Sequence, residues 1–193
     1  MISGKNSLRL IEEPMALKKE RKGGAANLML TALLVEAGRQ VDEEYDLPTI
    51  EAAACSAFGL EKGFITRIRE IGIGRAAEAM KFLSEPEGKE DAFFAFYHNF
   101  FSPPLSVLNP PALKGAVDGA PSDILVLKLL QKRFQAVSFM IAVDLADSGV
   151  ITILDLDRLC RDNLNWSEGP FTTVSYTHLR AHETVLDLVC RLL

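Results

Sequence analysis

Between Ala25 and Arg39 the chain reads Ala-Ala-Asn-Leu-Met-Leu-Thr-Ala-Leu-Leu-Val-Glu-Ala-Gly-Arg. Alanine, leucine and methionine are strong helix formers, and few polar residues interrupt them. The run predicts a helix that ends near Gly38 and is mostly buried. Burying it takes a core of ordinary size. The 193 residues, 48% hydrophobic and 24% charged, supply one.

The rest of the chain alternates helix-forming stretches with glycine and proline punctuation. Residues 1 to 24 read as a mobile basic arm closed by Gly23-Gly24. After an acidic turn at 42–48, Thr49 is the expected N-cap of a second helix that reaches Phe58 and stops at Gly59. A third helix is expected from Glu61 or Lys62 to Ile71, with Phe64, Ile65, Ile68 and Ile71 on one face. Arg75 to Leu83 forms a fourth, and the aromatic stripe from Asp91 to Phe101 reads as core filling. The prolines of 102–121 predict an extended loop and a subdomain boundary. Ser122 or Asp123 then caps a long helix to about Leu145. Thr152 with Asp155 resembles a capping-box start for a last helix to about Leu164, although Val150 to Leu154 also suits a short strand.

No internal repeat is visible. The resulting expectation is an all-α helical bundle. A helical domain at 25–101 with a helix-turn-helix-like part is joined by the proline-rich loop 102–121 to a helical hairpin at 122–173.

The net charge of -5 offers no overall attraction to nucleic acid or anionic membrane, so any such binding needs a local basic patch. Cys55, Cys160 and Cys190 have no paired spacing, which suits a reduced, cytoplasmic setting. Met1 to Lys22 contains no apolar core of signal-peptide length, and the longest apolar runs fall well short of a membrane crossing.

Two stretches carry candidate chemistry. In Ala54 to Ile68, Cys55 is the small residue where two helices would cross, Gly59 the turn, and Ile65 and Ile68 the anchors of the second helix. This pattern resembles the helix-turn-helix, a resemblance that places Lys62, Thr66, Arg67 and Arg69 toward the major groove as the nucleic-acid-binding residues. Over residues 50 to 84 the phrase Phe58-Gly59-Leu60, the isoleucines that follow and the helix 76–83 are similar to the D subunit of the flagellar master regulator. They are also similar to short accessory proteins of integrating conjugative elements. That resemblance implies a small bacterial regulatory helical protein.

The second stretch, Asp144 to Asp155, resembles the twelve-position EF-hand loop. Asp144, Ser148, Gly149 and Asp155 fall at ligand or turn positions, but Ala146 supplies no ligand and Asp155 is shorter than the usual Glu.

Residues 174 to 193 resemble a translated sequencing-library adapter, so the natural protein is expected to be cut off near Thr173. That sets aside His178 and His182, which also lack a metalloprotease Glu because Leu179 stands in its place. No catalytic constellation, metal site or cofactor is expected, and the chain reads as no enzyme. The functional expectation is a regulatory or nucleic-acid-associated protein of a mobile element, with DNA as partner. The alternatives are a protein-interaction or homo-oligomerisation module, or a degenerate calcium module.

Overall fold

The run that begins at Ala25 lies within α1, Arg21–Asp42, and every residue from Ala25 to Gly38 is buried. The computed structural model describes residues 21–85 and 99–173. Around α1 stand α2 (Leu47–Phe58), α3 (Phe64–Ile71), α4 (Ile73–Ser84), the short α5 (Leu105–Leu108), α6 (Ile124–Asp147) and α7 (Ile153–Leu164), each in contact with it. A 3-10 turn, Pro110–Leu113, follows α5, and a last short helix, α8 (Pro170–Thr173), packs on α6 and α7. The fold is all-α, with no strand among the described residues. Because α6 packs on both α1 and α2, the buried apolar side chains form one connected cluster from Ala25 to Trp166.

Local chemistry shifts several boundaries. The first helix begins at Arg21 and so takes in Gly23 and Gly24. It also runs through Gly38, where a Cβ would stand 2.8 Å from Pro104, so the glycine admits α5 against α1. The cap of α2 is Asp46 instead of Thr49. Its Oδ1 accepts from Thr49 N at 2.9 Å and its Oδ2 from the Thr49 hydroxyl at 2.8 Å, with Pro48 in the first turn. The third helix starts at Phe64, which leaves Glu61 and Lys62 in the preceding turn. Two helical turns, α5 and Pro110–Leu113, interrupt the stretch expected to be an extended loop. Val150–Leu154 forms no strand: Thr152 caps α7 and accepts from Asp155 N at 3.2 Å. The aromatic stripe 91–98, the arm 1–20 and the tail 174–193 lie outside the described residues.

The molecule contains an internal repeat that the sequence alone does not reveal: α1-α2-α3 recurs as α6-α7-α8. Both first helices end at a residue of positive φ, Glu44 (65°) and Gly149 (68°). Both second helices are 12 residues long, capped by Asp46 and Thr152, and both end on a left-handed residue, Gly59 (66°) and Asn165 (58°). A buried apolar residue follows each, Leu60 and Trp166, and then a glycine just before the third helix. The deepest likeness is a buried carboxylate on the second helix that caps the third. Glu51 accepts from Ile65 N and Thr66 N, and Asp157 from Phe171 N and Thr172 N, at the same separations of 14 and 15 residues. A Cβ on Gly63 or Gly169 would collide with that carboxylate at 2.7 or 2.3 Å.

Candidate functional site

The helix-turn-helix-like residues converge on the N-terminal end of α3. There the backbone N–H groups point outward with the positive end of the helix dipole, the usual place for an anion. The anion is supplied internally. Glu51, 9% exposed, accepts from Gly63 N at 2.8 Å, Ile65 N at 3.1 Å and Thr66 N at 3.3 Å. A second piece of chain covers the turn itself. Trp166 stacks on Phe58 with ring centroids 4.1 Å apart, and Ser167 N donates to Phe58 O at 2.8 Å beside Gly59.

The four residues expected to face DNA have separate fates. Lys62 is exposed and its Nζ donates to Glu70, whose hydrogen bond raises the amine pKa above its ordinary value. Thr66 is half-buried and donates its N–H to Glu51. Arg67 lies along its own turn, with Nε donating to Lys62 O at 3.4 Å, and burial lowers its pKa from the usual arginine value. Arg69 reaches away to the segment after α5, where its Nε donates to Leu113 O and its Nη2 to Gly115 O, both at 2.6 Å. All four lie on α3 or in the turn before it, and the side chains of Lys62, Arg67 and Arg69 bond to the protein's own carboxylate and carbonyls, which their spacing in the sequence does not show.

Beside them lies a cleft of about 480 Å³ whose wall carries four carboxylates, Glu51, Glu61, Glu70 and Asp118, against two cations, Lys62 and Arg69. Excess negative charge there repels phosphate. Glu51 is the residue that local reading missed. Its signal is the glycine 12 residues later, which makes room for the carboxylate.

In the EF-hand-like stretch, Asp144 lies in the last turn of α6 and Ser148 follows as its C-cap, donating its hydroxyl to Leu145 O at 3.2 Å. Asp155 accepts from the Thr152 hydroxyl at 3.0 Å, which gives its carboxylate a capping role at α7. Among the described residues no group of three or more His, Cys, Asp or Glu is arranged to hold a metal ion. Burial raises the thiol pKa of both Cys55 and Cys160, so both stay protonated at neutral pH. No helix among the described residues is long and apolar enough to cross a membrane.

No protein-family model, curated protein or solved structure matches the chain.

Proposed function

We propose that this chain is a helical protein-interaction and oligomerisation module without a nucleic-acid role. The observation that carries the reading is the outer face of α6, where Leu125, Leu129 and Val143 are 72%, 40% and 42% exposed. Large apolar side chains grouped on one helix face are stabilised by covering them with another protein surface. The internal bonds of Lys62, Arg67 and Arg69 support the same reading, since a phosphate would have to displace existing partners.

A second reading is a regulatory, nucleic-acid-associated protein of a mobile element. The arrangement of α2, the left-handed Gly59 and α3 favours it.

Sedimentation velocity of the full chain, with and without a labelled duplex of about 20 base pairs, separates the two. The interaction module self-associates as its concentration rises and leaves the duplex free. A monomer that co-sediments with the duplex supports the second reading and overturns the first.

A further inference from the structure

The repeat indicates what α6 lacks. Superposing the turns at Glu44 and Gly149 aligns Gly38 of α1 with Val143 of α6, and Asp42 with Asp147. On α1 this face is covered by α5. The Ser106 hydroxyl donates to Gly38 O at 2.8 Å, and the Asp42 carboxylate accepts from Leu105 N and Ser106 N, both at 2.7 Å, at the N-terminal turn of that short helix. On α6 the corresponding Val143 and Asp147 are exposed.

They belong to a stripe at helical spacing, Leu125, Leu129, Lys132, Ala136 and Val143, with the half-buried Met140 at its edge packed partly on the core. It lies opposite the buried face formed by Leu130, Phe134, Val137, Ile141 and Leu145. The stripe is balanced about its middle. Ala136 stands at the centre of the 24-residue helix, Leu129 and Val143 lie equally far on either side, and so do Leu125 and Asp147. Exposed Lys128 and Lys132 lie in the first half, after the capping Asp123, and exposed Asp147 lies at the finish.

We propose that the occupant of this face is a second copy of the chain, whose α6 packs antiparallel on the first about a twofold axis at Ala136. The proposal rests on the interaction-module reading and names its partner. Antiparallel pairing sets Leu129 against Val143 of the second copy and brings the small Ala136 side chains together, which lets the helix axes approach closely. It also sets Asp147 at the N-terminal turn of the other α6. That turn's Leu125 N–H is already capped by Asp123 of its own chain at 2.6 Å, so the attraction on Asp147 comes from Lys128. Lys128 then faces the acidic end of its neighbour. Lys128 lies toward Asp147 of the second copy in this orientation, whereas a parallel pairing sets Lys128, Lys132 and Asp147 each beside its own counterpart.

Cysteine cross-linking of the full chain, with sedimentation velocity, tests the arrangement. Under mild oxidant Ala136→Cys gives a covalent dimer above the level of the parent chain treated identically. Leu125→Cys gives none with itself but links to Asp147→Cys when the two are mixed. Leu129→Lys combined with Val143→Lys weakens self-association at least tenfold while far-ultraviolet circular dichroism stays unchanged. Self-association that persists in the double lysine variant, or that leaves Ala136→Cys unlinked, overturns the α6 pairing while leaving the interaction-module reading in place. A parent that stays monomeric overturns both. A monomer that loses thermal stability on Leu129→Lys overturns the pairing by showing that the chain's own residues cover the face.

Discussion

Arg133 on α6 and Glu36 on α1 form an ion pair at 2.8 Å in the interior, with side chains only 15% and 3% exposed. The same guanidinium holds Glu43 in the turn just beyond α1, its Nη2 donating to Oε1 at 2.8 Å, and so one residue clamps the C-terminal end of α1 to α6. Burial pushes the Glu36 carboxyl up, while Arg133 and the Gln40 amide, at 2.9 Å, pull it partly back. For Arg133 burial acts downward, but the bonds to Glu43 and Glu36 outweigh it and hold the guanidinium above its ordinary value.

Removing that cation strands Glu36 in the core. Arg133→Met is therefore expected to lower unfolding free energy by about 3–5 kcal/mol, the range for breaking one side of a buried pair. Adding Glu36→Gln removes the uncompensated charge and recovers much of the loss. Urea unfolding of the two variants measures both effects through the midpoint at constant slope. A double variant no more stable than the single one contradicts the charge explanation.

The two carboxylate caps make matching demands on glycine. Gly63→Ala and Gly169→Ala each force a methyl group into Glu51 or Asp157, and each is expected to cost about 1–3 kcal/mol. At Gly74 a Cβ meets nothing within 4 Å, and Gly74→Ala is expected to stabilise by roughly 0.5–1 kcal/mol. Thermal denaturation of the three variants gives the order directly. Equal behaviour at Gly63 and Gly74 would remove the cap from the account.

Trp166 is the single tryptophan and is 5% exposed against Phe58. Its fluorescence should resist acrylamide in the native chain. Phe58→Ala is expected to open the site to quencher and to cost about 3–5 kcal/mol, as large aromatic truncations in cores do. Unchanged quenching in that variant contradicts the stacking of the C-terminal repeat on the turn between α2 and α3.

Acid should weaken the fold through Asp46 and Glu43. Burial alone would push Asp46 up, but its bonds from Ser122 and Thr49 hold it below its ordinary 3.8. Glu43 is held below 4.5 by the hydrogen bond from Arg133. Both folded values lie under the unfolded ones. Their stabilisation is therefore complete above the unfolded values and is lost as pH falls through them toward the lower folded values. Melting temperature is expected to fall between about pH 5 and pH 3, and less steeply in Asp46→Asn, as calorimetry across that range can establish.

The helices that the sequence predicted best are those whose signals are local. α1 follows from its run of helix formers, α7 from Thr152 with Asp155, and the inner face of α3 from Phe64, Ile65, Ile68 and Ile71, all buried. Asp46 escaped because it sits in an acidic stretch, where a cap and an ordinary turn residue look alike. Glu51 escaped because its partners lie across a turn, and local capping rules search only within a helix's own first residues. The repeat was hidden because its two copies share roles and not residues: Glu51 answers to Asp157, Gly59 to Asn165 and Leu60 to Trp166. Side-chain fate was the least legible, since nothing in the spacing of Arg69 shows that two carbonyls beyond α5 accept from it.

The cations around α3 are engaged within the protein, and the proposed interaction module gives them no part in holding nucleic acid. The most direct test is a titration with duplex DNA at several salt concentrations, comparing the parent with a Lys62→Ala, Arg67→Ala, Arg69→Ala variant. Weak binding is expected for both proteins, indistinguishable at each salt concentration. A steep dependence in the parent, with a slope near the roughly -2.7 expected for three phosphate contacts, that flattens in the variant would contradict it.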